Sequence, residues 1–343
     1  MLAQKTIAII WSKFVLVDRA PRPRPKGGLS RGPGRAPSGF RREAHSGTDV
    51  AACGTGGALR RRRAQRRVRT ARGRSGWRRA DGRPSAADST DPIRTERTDR
   101  HQAGSIEITV LFDNYAVEQE LVTAWGFAAL VRFNGHAVLF DTGFDEDILL
   151  ANANALGVDL AGIEAIVISH AHSDHVDALP PLLGRIGPRP VYLLEAFPIS
   201  FREMVSQRCE PVMVPDAGID LFEGLHLTGN AGGSIPEQAL VAETSEGLVV
   251  LTGCAHPGIL RIVRLAAERY GGPIHLVMGG YHLGGQPMSS IEELIEGFRE
   301  LGVALVAPTH CTGDEAIAAF REAYGDGFVK VGVGAVVRAG RGR

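Results

Sequence analysis

Apolar and polar positions follow two periods along the chain from Ser105 onward. Ile106, Ile108 and Val110 alternate with other residues as one face of a strand does. Residues 127–132 and 137–140 read as two strands joined at Asn134-Gly135, a dipeptide suited to a two-residue hairpin turn. A helix is expected over 145–156, stopped by Gly157, followed by a buried strand over 163–169. Val176, Leu179 and the apolar residues after them predict a further helix that ends by Gly184. Downstream, strands are expected at 191–194, 221–227, 238–242, 248–251, 274–278, 303–307 and 328–337. Helices are expected at 198–207, 258–270, 291–301 and 314–324. Hairpins first and strand–helix units later give a layered α/β protein with mixed sheets.

Before Ser105 this pattern is missing. Residues 19–104 are dominated by Arg, Gly, Pro, Ser and Ala, and cannot bury enough apolar surface to offset the entropy of ordering. The chain therefore divides into a disordered Arg/Gly/Pro-rich extension, 1–104, and one domain, 105–343. Charge divides at the same place: 25 Lys and Arg against 8 Asp and Glu in 1–104, but 14 against 30 in 105–343. The basic cluster Arg60, Arg61, Arg62, Arg63, Arg66, Arg67 and Arg69 could attract nucleic acid. No aromatic residues are interleaved with it for base stacking, so nucleic acid is not the expected partner. The apolar run 6–17 is broken by Ser12 and Lys13 and is shorter than the roughly 20 residues that span a bilayer. It lacks a small-residue cleavage site, so neither a membrane span nor a signal peptide is expected. Four cysteines (Cys53, Cys209, Cys254, Cys311) form no C-x-x-C pair and no disulfide framework, which points to a reducing cytoplasm.

The chemistry concentrates where the strand ending at Ser169 runs into His170, His172, Asp174 and His175. Residues two apart in an extended segment point the same way, so His170 and His172 can grip one metal ion. Asp174 and His175 lie where the chain turns into a helix and can face a second ion. Imidazole nitrogen and carboxylate oxygen are ligands that zinc takes at about 2.0–2.2 Å. Four such groups within six residues, directly after a hydrophobic strand, read as a metal loop rather than a surface turn.

The segment HAHSDH resembles the H-x-H-x-D-H signature of the metallo-β-lactamase fold superfamily, and LFDTG at 139–143 resembles its strand-end Asp-Thr-Gly. TGCAHPG at 252–258, GGYHL at 279–283 and PTHCTG at 308–313 resemble one subgroup, typified by the dihydropterin–ribofuranosylaminobenzene phosphate synthase. The resemblance runs from about Ser105 to the C-terminus and implies a four-layer αββα sandwich. It also implies a metal centre of two zinc ions, with Mn2+ or Fe2+ as alternatives, completed by His310. At the strand end 252–258 two ligands compete. His256 would complete a three-histidine set with His170 and His172, whereas Cys254 occupies the place in strand order where the superfamily carries a bridging acid. His256 is the expected ligand and Cys254 stays open. Asp141 is expected to orient the metal loop from behind the ligands.

Asp174 and His282 are the candidate catalytic groups; His282 could equally be a ligand or a substrate contact. Pro257-Gly258 opens a helix whose free N–H groups would attract an anion, and Gly280 permits close backbone approach, so Gly258 and Gly280 are the expected anion-binding positions. His226 and His275 lie within strands and read as structural, His136 as solvated, and His45 and His101 belong to the extension. Two ions about 3.5–4 Å apart would bring a shared water toward a pKa of ~7. The expected activity is metal-dependent hydrolysis of a small anionic substrate, phosphorylated or carboxylated, by metal-activated hydroxide. A transferase of the synthase type and a non-catalytic or iron-dependent redox protein are the alternatives. The sequence carries no signal of oligomeric state.

Overall fold

Strand alternation resolves into two sheets in the structure, a computed structural model that describes residues 104–340. In chain order the strands are β1 (Ile106–Phe112), β2 (Ala128–Phe133), β3 (His136–Phe140), β4 (Ala165–Val167), β5 (Val191–Leu194), β6 (Pro211–Val214), β7 (Ile219–Phe222), β8 (Leu225–Leu227), β9 (Leu240–Thr244), β10 (Gly247–Thr252), β11 (Ile274–Gly280), β12 (Leu305–Thr309) and β13 (Val336–Ala339). The helices are α1 (Glu146–Ala155), α2 (Ser173–Val176), α3 (Leu179–Ile186), α4 (Ile199–Ser206), α5 (Ile259–Tyr270), α6 (Met288–Glu300) and α7 (Asp314–Tyr324). One sheet has the order β13-β1-β2-β3-β4-β5-β6 and the other β12-β11-β10-β9-β8-β7. In the first, β13 to β3 pair antiparallel and β3 to β6 parallel. In the second, β10, β11 and β12 pair parallel and the others antiparallel.

The period of two decides the layering. Val249 and Leu251 of β10 join Leu276, Met278, Leu305 and Ala307 in one core with the residues of the first sheet. Leu248 and Val250, one position out of step, join Val277 and Val306 in a second core under α5, α6 and α7. Helices α1 and α3 cover the first sheet through Leu149, Leu179, Leu182 and Leu183. The result is helix, sheet, sheet, helix, the four-layer αββα sandwich. Within the second core Tyr281 meets Phe298 and Phe320 at centroid distances of 5.7 and 5.3 Å, and its hydroxyl donates to the Val277 carbonyl at 2.8 Å. That anchor fixes the backbone next to His282.

Several elements differ from the sequence reading. The run 221–227 is two strands, because Glu223-Gly224 turns β7 back into β8. The helix after His175 is broken into α2 and α3, with Pro180 and Pro181 in the first turn of α3, and it passes Gly184 to end at Gly187. Strand β6 was not expected; its short Pro-containing sequence gives little periodic signal, and it forms a sheet edge. The final strand is confined to Val336–Ala339. Gly104, counted with the extension in the sequence reading, donates its N–H to the Glu243 carbonyl at 3.0 Å and belongs to the fold. The expected disorder over 1–104, together with Cys53, His45 and His101, otherwise lies outside the described residues. Among the described residues no helix is long and apolar enough to cross a membrane.

Candidate metal centre

Five strands, β3, β4, β10, β11 and β12, end beside one another and deliver the site. Asp141 follows β3, and its fully buried carboxylate accepts from three donors. Oδ1 accepts the Ser169 N–H at 2.7 Å; Oδ2 accepts the Ser169 hydroxyl at 2.7 Å and Nδ1–H of His175 at 2.7 Å. Proton bookkeeping then fixes both imidazoles. Ser169 has one hydroxyl proton and gives it to Asp141, so its oxygen, 2.9 Å from His170 Nδ1, accepts a proton from that nitrogen. In their neutral forms both imidazoles thus carry their proton on Nδ1 and turn Nε2 inward. His310 is set the same way: its Nδ1 lies 2.9 Å from Asn114 Oδ1, which leaves Nε2 facing inward.

Those nitrogens converge. His175 Nε2 lies 3.2 Å from His310 Nε2, 3.7 Å from Asp174 Oδ2 and 3.2 Å from Cys254 Sγ, and His310 Nε2 lies 3.3 Å from Asp174 Oδ2. Asp174, His175, Cys254 and His310 form one set whose ligand atoms all lie within 4.8 Å of one another. His170, Cys254 and His256 form another, and His172 joins it through Nδ1, 3.1 Å from His256 Nε2. The choice between Cys254 and His256 thus dissolves: the turn at Ala255, with φ 60°, brings both to the site. His282 stands exposed beside them, its ring 4.3 Å from that of His256, and groups with Cys254 and Cys311 rather than with the histidine sets.

The donor set fits a metal. His170 Nε2 is buried and has no hydrogen-bond partner, a condition that costs about 1–3 kcal/mol unless a cation or donor meets it. Burial, reinforced by the neighbouring imidazoles, holds His170 well below the ordinary imidazole range, and burial with His282 and His172 brings His256 down to about 4. Both are therefore neutral at pH 7, the form that ligates. The second set has the opposite tendency. Burial works against a charged His175, yet the Asp141 carboxylate outweighs it and raises the imidazole. Burial likewise works against the Asp174 carboxylate, but His310 and His175 hold that carboxyl far below its usual range. This set favours a positive charge, as proton or as metal.

Asp141 apart, the residues that support the candidate ligands were not read from the sequence. Glu237, fully buried, accepts the N–H groups of Cys254, Ala255 and His256 at 2.9, 2.7 and 2.8 Å and so fixes the whole turn. Burial pushes its carboxyl up to about 7 against those three donors. Asp113 accepts the Thr309 hydroxyl at 2.7 Å and the Tyr115 N–H at 3.0 Å, tying the end of β1 to the residue before His310. The signal that could have found both is a carboxylate adjoining a buried strand. Gly280 departs from its expected role. Its N–H donates to the Gly253 carbonyl at 3.1 Å inside the sheet and is not offered to a ligand. A Cβ there would sit 2.5 Å from the Gly253 carbonyl oxygen and 2.7 Å from Cys311 Sγ, so close packing between strand ends is what requires glycine. Gly258 caps α5 and spends its own N–H on the Ala255 carbonyl; the amides after it begin the helix and have no intrahelical acceptor. His226 is structural, held between Asp220 and Glu243 at 2.7 and 3.1 Å, and His136 pairs with Glu164. Trp125, 59% exposed, holds its ring 5.0 Å from that of His310 at a tilt of 48°.

Comparison with known proteins agrees on the fold. A relative, the 7,8-dihydropterin-6-methyl-4-(beta-D-ribofuranosyl)-aminobenzene-5'-phosphate synthase of Methanocaldococcus jannaschii, is 23% identical over 284 residues, covering 68% of this chain and 97% of that protein. An uncharacterised protein of the same organism is 22% identical over 240 residues, covering 61% of this chain and 92% of its own. Among solved structures, Tm1679, described as a metal-dependent hydrolase of the beta-lactamase superfamily, superposes with a TM-score of 0.60 at 29% identity, over 69% of this chain and all of that one. YhfI of Bacillus subtilis, a metallo-beta-lactamase fold protein, shares the fold with a TM-score of 0.50 at 16% identity, over 68% of this chain and all of its own. Residues 126–318, which hold every candidate ligand, match the family described as the metallo-beta-lactamase superfamily, and the chain belongs to it.

Proposed function

We propose that this protein is a metal-dependent hydrolase of a small anionic substrate, a phosphoester or a carboxylate-bearing ester or lactone. The observation that carries the reading is the convergence of two ligand sets at the strand ends, with the buried His170 Nε2 of one set lacking a hydrogen-bond partner. His170, His172 and His256 would hold one ion, and Asp174, His175 and His310 the other, with zinc the expected metal. When bound, the ions supply Lewis acidity toward a carbonyl or phosphoryl oxygen and a water acidified toward neutral pH. The chain's own contribution is orientation. Asp141, Ser169 and Asn114 engage the outward Nδ1 atoms of His175, His170 and His310 and so turn each Nε2 toward the site. Asp174, whose side chain is 16% exposed, borders the open side and can accept a proton from the attacking water. His282 is exposed at the rim, where its bond to Cys311 raises the imidazole and suits it to give a proton to a leaving group. The unpaired amides at the start of α5 supply donors for an anionic group.

A second reading is a transferase that joins a pterin diphosphate to an arylamine, favoured by similarity to the synthase over nearly its whole length. Among the described residues the three cysteines are free, two of them buried, which accords with a reducing compartment such as the cytoplasm. The test is elemental analysis of the full-length chain followed by a screen of phosphate esters, lactones and pterin diphosphates, with and without chelator. Chelator-sensitive hydrolysis of an anionic ester is the expected result. Coupling of a pterin diphosphate to an arylamine without hydrolysis would select the transferase, and a purified chain that takes up no metal would overturn both.

A further inference from the structure

Cys254 is the one residue common to both ligand sets among the described residues. Its Sγ lies 3.2 Å from His175 Nε2 in the second set, and it lies within 4.8 Å of the ligand nitrogens of His170 and His256 in the first. By strand order Cys254 stands where the resemblance leads one to expect a bridging acid, and no carboxylate among the described residues is available to take that place. Asp141 is engaged by Ser169 and His175, Glu237 is engaged by three backbone amides, and Asp174 belongs to the second set alone. Cys311 cannot substitute, because it groups only with Cys254 and His282 and points its thiol at the Cys254 carbonyl, 3.6 Å away. The frame around Cys254 is rigid. Gly253 lies so close to Ser169 that a Cβ would sit 2.1 Å from its Oγ, and Glu237 fixes the amides of the three residues that follow. A cysteine serving only as a small apolar filler has no reason to put its sulfur among four imidazoles and a carboxylate.

We infer that Cys254 is the ligand shared by the two metal positions, so that the centre is bridged by sulfur rather than by a carboxylate. This rests on the proposed metal-dependent function and refines it. On metal binding the thiol releases its proton to solvent and the sulfur electron pairs go to the ions. A bridging thiolate selects borderline and soft cations (zinc, iron(II), cobalt(II)) over magnesium and manganese, which favour oxygen ligands.

The experiment uses the full-length chain, stripped with chelator and refilled with cobalt(II) under a reducing, oxygen-free atmosphere. Cobalt is counted by elemental analysis and sulfur ligation is read from the thiolate-to-cobalt charge-transfer band. About two ions per chain are expected, with a band that Cys311→Ser keeps and Cys254→Ser abolishes. Cys254→Asp restores an acid bridge and is expected to lose the band while keeping both ions, which guards against a serine variant that merely folds poorly. Two bound ions with no sulfur band overturn the inference and leave the metal-dependent reading standing. A band that survives Cys254→Ser and vanishes in Cys311→Ser also overturns it. A chain that takes up no cobalt overturns both the inference and the reading beneath it.

Discussion

Asp141→Asn isolates what the carboxylate behind the ligands does. The wild-type group accepts three hydrogen bonds, each 2.7 Å long, in a fully buried position. An asparagine can keep its oxygen on the Ser169 N–H, but its NH2 group then faces two donors, the Ser169 hydroxyl and His175 Nδ1–H. His175 must lose that bond or move its proton to Nε2, which lies 3.2 Å from both His310 Nε2 and Cys254 Sγ. A proton on Nε2 occupies the lone pair that a metal needs. Losing one charge-assisted bond costs about 1.5–3 kcal/mol. At about 1.4 kcal/mol per tenfold, that is roughly a 10- to 150-fold loss of affinity, in line with the 10- to 100-fold typical of groups that orient metal-bound histidines. Competition against a chromophoric chelator measures it. The ion held by Asp174, His175 and His310 should weaken by roughly that factor. Ser169→Ala provides the contrast: it leaves the Asp141–His175 bond in place, removes the acceptor for His170 Nδ1 and takes one hydroxyl donor from Asp141 Oδ2. It should therefore weaken the other ion. Affinities of Asp141→Asn within twofold of wild type at both positions would refute the assignment of His175's tautomer to Asp141.

His170→Ala and His172→Ala should each lower metal content and abolish activity, and full stoichiometry in both variants, measured by elemental analysis, would contradict their role as ligands. Asp113 sets a pH dependence in the metal-free protein. Burial raises its carboxyl from 3.8 to about 6, so the folded state binds the proton more tightly than the unfolded one. Stability relative to Asp113→Asn is thus greatest below about pH 4 and falls by up to about 3 kcal/mol as pH rises through 6; a difference in urea midpoints that does not change with pH would contradict it. A chain shortened to begin just before Gly104 should fold and bind metal as the full chain does, because the candidate ligands lie between His170 and His310. Loss of metal on that truncation would refute the domain boundary.

What the sequence disclosed was local. His170, His172, Asp174 and His175 follow one strand within six residues, and their spacing alone predicts two directions of ligation. His310 was legible for the same reason, as a histidine directly after a buried strand. At 252–258 the sequence pointed to His256 and left Cys254 open, and the structure brings both to the site. Thr252 leaves β10 in extended geometry, but Ala255 is left-handed, and the reversal turns Cys254 and His256 to the same centre. No propensity announces a left-handed alanine; it exists because Glu237, seventeen residues before Cys254, captures the three amides. Gly280, by contrast, was misread. Its absent side chain makes room for the Gly253 carbonyl and for Cys311, contacts between strand ends that only the tertiary structure defines.

The backbone shows why the supporting residues are buried and polar. Among the described residues five non-glycines have positive φ, and four of them, Asp141, Ala255, His282 and His310, lie at the strand ends that build the site. Each such conformation costs an L-residue of order 1–3 kcal/mol and persists only where the surroundings over-determine it. The determinants are specific. Asp141 is held by its own three hydrogen bonds and Ala255 by Glu237. His310 is held by Asn114, which bonds both its ring and its carbonyl. Beside His282, the Thr312 hydroxyl accepts the Tyr281 N–H at 3.0 Å. Burying Glu237 and Asp113 is unfavourable for each carboxylate taken alone, as their raised pKa values indicate. Their hydrogen bonds hold turns that would otherwise relax and carry the ligand nitrogens away from one another. The metal loop was legible because its ligands are neighbours in sequence. The clamps on its partners were not, because Asn114 and His310 are 196 residues apart and meet only when β1 and β12 end side by side.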